Sequence, residues 1–300
     1  MLDERKSALW QALGLGPEWV LREELQELQH EQAPVNVSTP APAAPAAAAP
    51  APTVQTASRQ PSAPSVRPQS PAMPAPRVPA QPKKAPARRK EGRGVTPEAF
   101  SPARTEKIKN SSWTEIISEV KNCHICDISS HRICAVPGEG TPPKDLVLIG
   151  EAPGAEEDRQ GIPFCGPSGK LLTTILHAIG LERGNDLGVL NTIKCRPPMN
   201  ADPSAEEMAA CRCFLERQLE LMDPKVIVAM GKPAAKSIFG TDETLTSRRQ
   251  KVFDMVIAGK SRKVIVTYHP AALLRNPSDK RKAWVDWCLV LDTLNKARNE

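Results

Sequence analysis

The sequence predicts a three-layer α/β/α domain with a central, largely parallel sheet, preceded by a disordered Pro/Ala-rich linker and short N-terminal helices. Three observations carry that prediction. Of the 31 prolines in 300 residues, sixteen fall between Pro34 and Pro97, in a stretch with too little apolar bulk to offset the entropy of ordering. From about residue 110 onward, short apolar runs alternate with segments of helical spacing, the pattern of strands joined by crossover helices. No run approaches the roughly eighteen apolar residues of a membrane span, and MLDERKSALW places acids where a secretory signal needs an apolar core. The expected organisation is a short helical segment over 1–30, a basic linker over 31–108 and a folded domain over 109–300. The expected compartment is the cytoplasm, where the eight cysteines read as thiols or metal ligands rather than disulfides.

Charge follows the same division. The net charge is +6, but residues 31–110 hold 12 Lys/Arg against 4 Asp/Glu, and residues 1–30 are acidic by three. The folded part is therefore nearly neutral, and any nucleic-acid surface on it must be a local patch. The cluster KKAPARRK (83–90) reads equally as a salt-dependent nucleic-acid contact and as a solubilising tether.

Taken in order, residues 1–30 read as two short helices, with Leu9, Trp10 and Leu13 on one face and a restart at Pro17, which suits a first helical position. Alone they cannot build a core, so they either dock a protein partner or cap the main domain. Ser112 caps a helix through Lys121. DLVLI (145–149) is a buried strand, residues 168–181 have helical spacing, and DLGVLNTI (186–193) is a second strand. Ser204 and Glu207 form a capping box that opens a helix through Leu221. Strand 225–231, helix 233–239, strands 251–257 and 263–269, and a last helix from about Asp279 to Lys296 complete the series.

Parallel sheets place ligands at the carboxyl ends of their strands. That rule selects GEAPG after the first strand, NTIKCRPPMN (191–200) after the second and HPAALLR (269–275) after the last. A glycine turn after a strand also invites a phosphate reading, with GPSGKLL as the end of a Walker loop. Phe164 stands where that motif needs its first glycine, Leu171 where it needs a hydroxyl, and Glu156, Glu157 and Asp158 would repel an anion. The ligand is therefore neutral where it meets this loop.

Cys123 and Cys126 form CHIC, Cys195 lies in KCRPP, and Cys211 follows sixteen residues later on a helix. Such a four-thiolate set suits an iron–sulfur cluster or zinc. Cys213 lies roughly 200° around the helix from Cys211 and is left out, as are Cys134, Cys165 and Cys288.

Together, GEAPG…EDRQGIPFCG, NTIKCRPPMN, CRCFLERQ and TYHPAALLRNP resemble the family 4 uracil-DNA glycosylases, the iron–sulfur branch of the uracil-DNA glycosylase superfamily, over roughly residues 115–295. The resemblance implies a [4Fe-4S] cluster on Cys123, Cys126, Cys195 and Cys211 and removal of uracil from DNA; the expected protein is a monofunctional glycosylase that leaves an abasic site and acts as a monomer. An enzyme that flips a base needs a stacking face and fixed hydrogen-bond partners. Phe164 supplies the face, and Asn191 reads uracil N3–H and O4. His269 faces O2, where negative charge gathers. Gly150, Glu151 and Ala152 form the first loop's contacts, with Glu151 as general base or electrostatic support for the sugar cation. Glu157 and Asn200 match further family positions and are expected to brace one another. Leu273 or Leu274 is a candidate wedge beside Arg275, Lys280, Arg281 and Lys282. The chain departs from the family pattern at Cys165, Ala201 and Cys213. Two other readings stand beside this one: a non-catalytic DNA-binding or partner-recruiting protein of the same fold, and a zinc domain built on the same thiolates.

Overall fold

The computed structural model describes residues 4–15 and 94–299. The expected second N-terminal helix from Pro17, most of the linker and its basic cluster lie outside the described residues.

A five-stranded sheet runs in the order β2-β1-β3-β5-β4, with β1 at Leu146–Gly150, β2 at Leu187–Asn191, β3 at Val226–Met230, β4 at Val252–Ile257 and β5 at Lys260–Thr267. Every neighbouring pair is parallel except the β4/β5 hairpin. The first three strands are buried at every position, as strands covered on both faces must be, whereas β4 alternates exposed and half-buried at the sheet's edge. The chain leaves β1 for β2 on one side and then returns to β3 on the other. The carboxyl end of β1 is thus a topological switch point, where a crevice opens.

Helices close both faces. One core layer packs Leu148, Val228 and Ile265 against Leu172, Ile175, Trp287 and Val290. The other packs Val147, Ile227 and Val264 against Leu215, Leu219 and Ala234. The predicted caps are present: the Ser112 and Glu115 side chains bond reciprocally at the start of Trp113–Lys121, and those of Ser204 and Glu207 do the same at the start of Ala205–Met222.

Two segments join the domain that composition had placed outside it. Residues 94–108 were assigned to the linker. Yet Thr96 N–H donates to Ile125 O (2.9 Å), Ala99 and Ile108 are buried, and Arg104 lies 5.1 Å over the Phe214 ring. The ordered domain therefore reaches back to residue 94. Residues 4–15 take the capping alternative. Helix α1, Glu4–Ala12, sets Leu9 and the following Leu13 fully into the core beside Leu176 and Leu291. Trp10 meets Trp284 edge to face at 5.2 Å, and Trp284 Nε1 donates to Lys6 O at 3.0 Å.

Candidate active site

Gly150 ends β1 directly opposite Asn191 at the end of β2. A Cβ on Gly150 would lie 2.4 Å from Asn191 Oδ1 and 2.7 Å from Phe164 Cζ. Glycine is required here by close approach: the amide and the ring converge on one bare Cα. The Phe164 ring in turn lies 5.3 Å from the His269 imidazole, tilted by 32°. Residues from three separate loops thus meet at the switch point, as the strand-end rule predicts.

Each group is held in a defined state. Asn191 is 2% exposed, and its Oδ1 is buried without a hydrogen-bond partner. An orphan acceptor of this kind costs about 1–3 kcal/mol and points to a ligand that donates. His269 caps the helix Pro270–Arg275, where its Nδ1 accepts the Ala271 N–H at 3.2 Å. With Nδ1 committed as acceptor, the proton of the neutral ring sits on Nε2, which is then a donor. Phe164 is 4% exposed at φ +50°, a left-handed backbone rare for a bulky residue. Glu151 and Ala152 follow Gly150 and are half-buried. The Glu151 carbonyl accepts from Ile193 N–H at 3.1 Å, which ties this loop to the one after β2.

Glu157 and Asn200 are not brought together. The buried Glu157 carboxylate accepts the backbone N–H groups of Gly154 (3.0 Å) and Gly166 (3.1 Å), so it joins the two ends of the loop that carries Phe164. Asn200 lies on the exposed turn after Pro198 and accepts from Arg196 Nε at 2.8 Å. A carboxylate beside two main-chain donors satisfies both lone-pair faces locally and has no need of a distant amide. Of the two wedge candidates, Leu273 is core and Leu274 is 44% exposed.

The four cysteines gather on the far side of Ala152. Cys126, Cys195 and Cys211 are buried in one cluster with Ile128 and Ile193, and Ala152 and Met208 pack against it. Burial pushes the Cys126 thiol up to about 11, helped by the nearby Cys195 and Cys123; the Cys211 thiol rises too, through burial and then Cys195, Cys126 and Cys123. All four thiols are therefore within electrostatic range of one another. Among the described residues, no three His, Cys, Asp or Glu side chains close on one point as a single ion requires. Four thiols are the donor set of a sulfur cluster or of zinc, and the residues present fit either in kind. Arg132 Nη1 donates to Cys195 Sγ at 2.8 Å. Cys213 accepts from Arg104 Nη1 at 3.2 Å.

Sequence reasoning missed two residues. Lys194 is 1% exposed and donates from Nζ to the Asn191 carbonyl at 2.8 Å; burial lowers its pKa to about 8 against the raising effect of the Cys211 and Cys195 thiols. Arg183 donates to the carbonyl of Phe164 at 2.8 Å. The apolar neighbours of Lys194 in sequence give no hint of its burial, and Arg183 looks like an ordinary loop cation.

Comparison with known proteins bears on the same residues. Residues 137–289 match the uracil DNA glycosylase superfamily. The chain is 44% identical over 170 residues to the type-4 uracil-DNA glycosylase of Archaeoglobus fulgidus, covering 55% of this chain and 85% of that protein. It is 42% identical over 187 residues to the type-4 enzyme of Thermotoga maritima, covering 62% of this chain and 93% of that one. A type-5 uracil-DNA glycosylase of Thermus thermophilus is 39% identical over 117 residues, 34% of this chain and 53% of its own. The matched span holds every pocket residue, and the two type-4 proteins are covered over 85% and 93% of their length. Pocket and kinship agree: the chain belongs to the uracil DNA glycosylase superfamily, in its type-4 branch.

Proposed function

We infer that this protein is a DNA-repair uracil-DNA glycosylase that hydrolyses the N-glycosidic bond of deoxyuridine and leaves an abasic site. The observation that carries the reading is the orphan Asn191 Oδ1, fixed against Gly150 and Phe164. Uracil offers N3–H to that acceptor and O4 to the amide NH₂. Cytosine presents an acceptor and a donor in the reverse order and is refused.

The deoxyuridine leaves the stack and its base lies on Phe164. As the C1′–N1 bond breaks, its electron pair passes to the uracil ring and O2 becomes anionic. His269 Nε2–H is the donor we assign to that charge, and a preformed donor of this kind contributes several kcal/mol. Water adds to the cation-like C1′ and gives up a proton; the Glu151 carboxylate at the β1 end is the group we assign either to accept that proton as general base or to support the sugar cation. Leu274, exposed beside Arg275 and near Lys280, Arg281 and Lys282 in sequence, is the wedge we assign to the vacated stack, with the basic residues on phosphates.

Cys123, Cys126, Cys195 and Cys211 would hold a [4Fe-4S] cluster, whose contribution is a rigid tie between the domain's start and the loop after β2, since hydrolysis moves no electron. The burial of Cys126, Cys195 and Cys211 in one cluster and the Arg132 contact to Cys195 support it. Protein purified without oxygen is expected to be brown, and a colourless zinc-containing product would reject the cluster. The function itself is tested by uracil release from single- and double-stranded oligonucleotides, followed by cleavage at the abasic product. Binding without release would favour the non-catalytic alternative.

A further inference from the structure

The geometry points to Arg183 as a positioning residue that clamps the stacking ring of Phe164 to the strand carrying Asn191; the inference rests on the stacking role assigned above. Phe164 is held at φ +50°, where a non-glycine side chain does not rest unaided. Gly169 lies so close beneath it that a Cβ there would fall 1.6 Å from the Phe164 carbonyl oxygen. That carbonyl accepts from Arg183 Nη1 at 2.8 Å, and the preceding Pro163 carbonyl accepts from Nη2. One planar fork therefore captures two successive main-chain oxygens, something a lysine cannot reproduce. The Arg183 side chain is 13% exposed, and its Nη2 also pairs with Glu139 Oε2.

The other end of the clamp is anchored on β2. Glu139 exchanges main-chain hydrogen bonds with Val189, N–H to O at 2.9 Å and O from N–H at 3.0 Å, two residues before Asn191. Gly184, next to Arg183, donates to Leu187 O at 3.2 Å at the strand's start. The path from amide to ring is thus Asn191, β2, Glu139, Arg183, and the carbonyls of Pro163 and Phe164. It fixes the distance between the group that reads the base edge and the face that receives the base. Glu157 holds the far side of the loop through Gly154 and Gly166 but has no contact with those two carbonyls, so the two devices are separate.

The test is a double-mutant cycle read by single-turnover uracil release. Arg183→Met is expected to slow release roughly tenfold to a hundredfold, the cost of a small misplacement of a reacting group, with the loss in the rate constant rather than in KM. Against a Phe164→Leu background the same substitution is expected to change the rate less than about twofold, because the ring it positions is gone. Losses that simply multiply would overturn the clamp and leave Phe164 stacking intact. Full activity of Phe164→Leu alone would overturn the stacking role itself, and the clamp with it. Should Arg183→Met not fold by circular dichroism, Arg183→Lys, which keeps the charge beside Glu139 but loses the fork, is carried through the same cycle under the same criteria.

Discussion

The base pocket and the core-facing side of the N-terminal helix are both buried, and they are built on opposite principles. The pocket spends its contacts on polar positioning: Asn191 Oδ1 is left unpartnered, Phe164 sits in a strained backbone, and Gly150 has given up its side chain. Helix α1 does the reverse, with Leu9 and Leu13 fully buried among apolar neighbours. Stability lost at a site to gain function is recovered elsewhere by plain packing. The contrast teaches that substitutions in the two regions should separate cleanly, one set reading out in rate and the other in unfolding.

The largest separation is expected at the pocket. Asn191→Ala and His269→Ala should each lower uracil release by at least about 10²–10³-fold, the cost of removing one preorganised partner of the transition state. Their thermal midpoints should stay near that of the unaltered protein, and Asn191→Ala is expected not to fall at all because it removes an unsatisfied acceptor. Normal release from both variants would remove the assigned roles. Next comes the helix: Leu9→Ala and Leu13→Ala should each destabilise by about 2–5 kcal/mol in denaturant titrations, while single-turnover release at a temperature where the chain stays folded remains unchanged. A loss of rate without loss of stability would mean that α1 belongs to the site after all.

Gly150→Ala sharpens the comparison, since it adds a methyl group inside the pocket. With contacts of 2.4 and 2.7 Å to Asn191 and Phe164, something must shift, and a displacement of that order is expected to cost up to roughly 10²-fold in rate. Relief is measured against a Phe164→Leu background, whose shorter side chain vacates part of that space: there Gly150→Ala should cost less than it does in the unaltered protein. No relief would place the clash with Asn191 alone.

What could be read in advance follows the same line. The Ser112 cap and the Ser204–Glu207 box were legible because capping is local chemistry. That Asn191 and His269 would lie at one edge was legible because a parallel sheet collects its strand ends there, whereas the roles expected of them came from the family resemblance. Residues 94–108 were not, since their composition continues that of the linker and their attachment, through Thr96, Ala99, Arg104 and Ile108 among others, is to residues remote in the chain. Glu157 was recognised but given the wrong partner, as sequence cannot show which main-chain amides will face a carboxylate. Arg183 was invisible for the same reason: its acceptors are carbonyls of two residues far from it in the chain.

The smallest effect tests whether α1 is held by packing alone. Lys6 Nζ lies 3.1 Å from Asp292 Oδ1, with the two side chains 24% and 46% exposed. A pair in such contact with water contributes about 0.2–1 kcal/mol and weakens as salt screens it. Lys6→Met keeps the backbone carbonyl that accepts from Trp284 and most of the aliphatic stem. It is therefore expected to lower stability by no more than that amount at low salt, and by still less at high salt. An effect as large as that of Leu9→Ala would show that charge fastens the helix and that Leu9 and Leu13 merely fill the space beneath it.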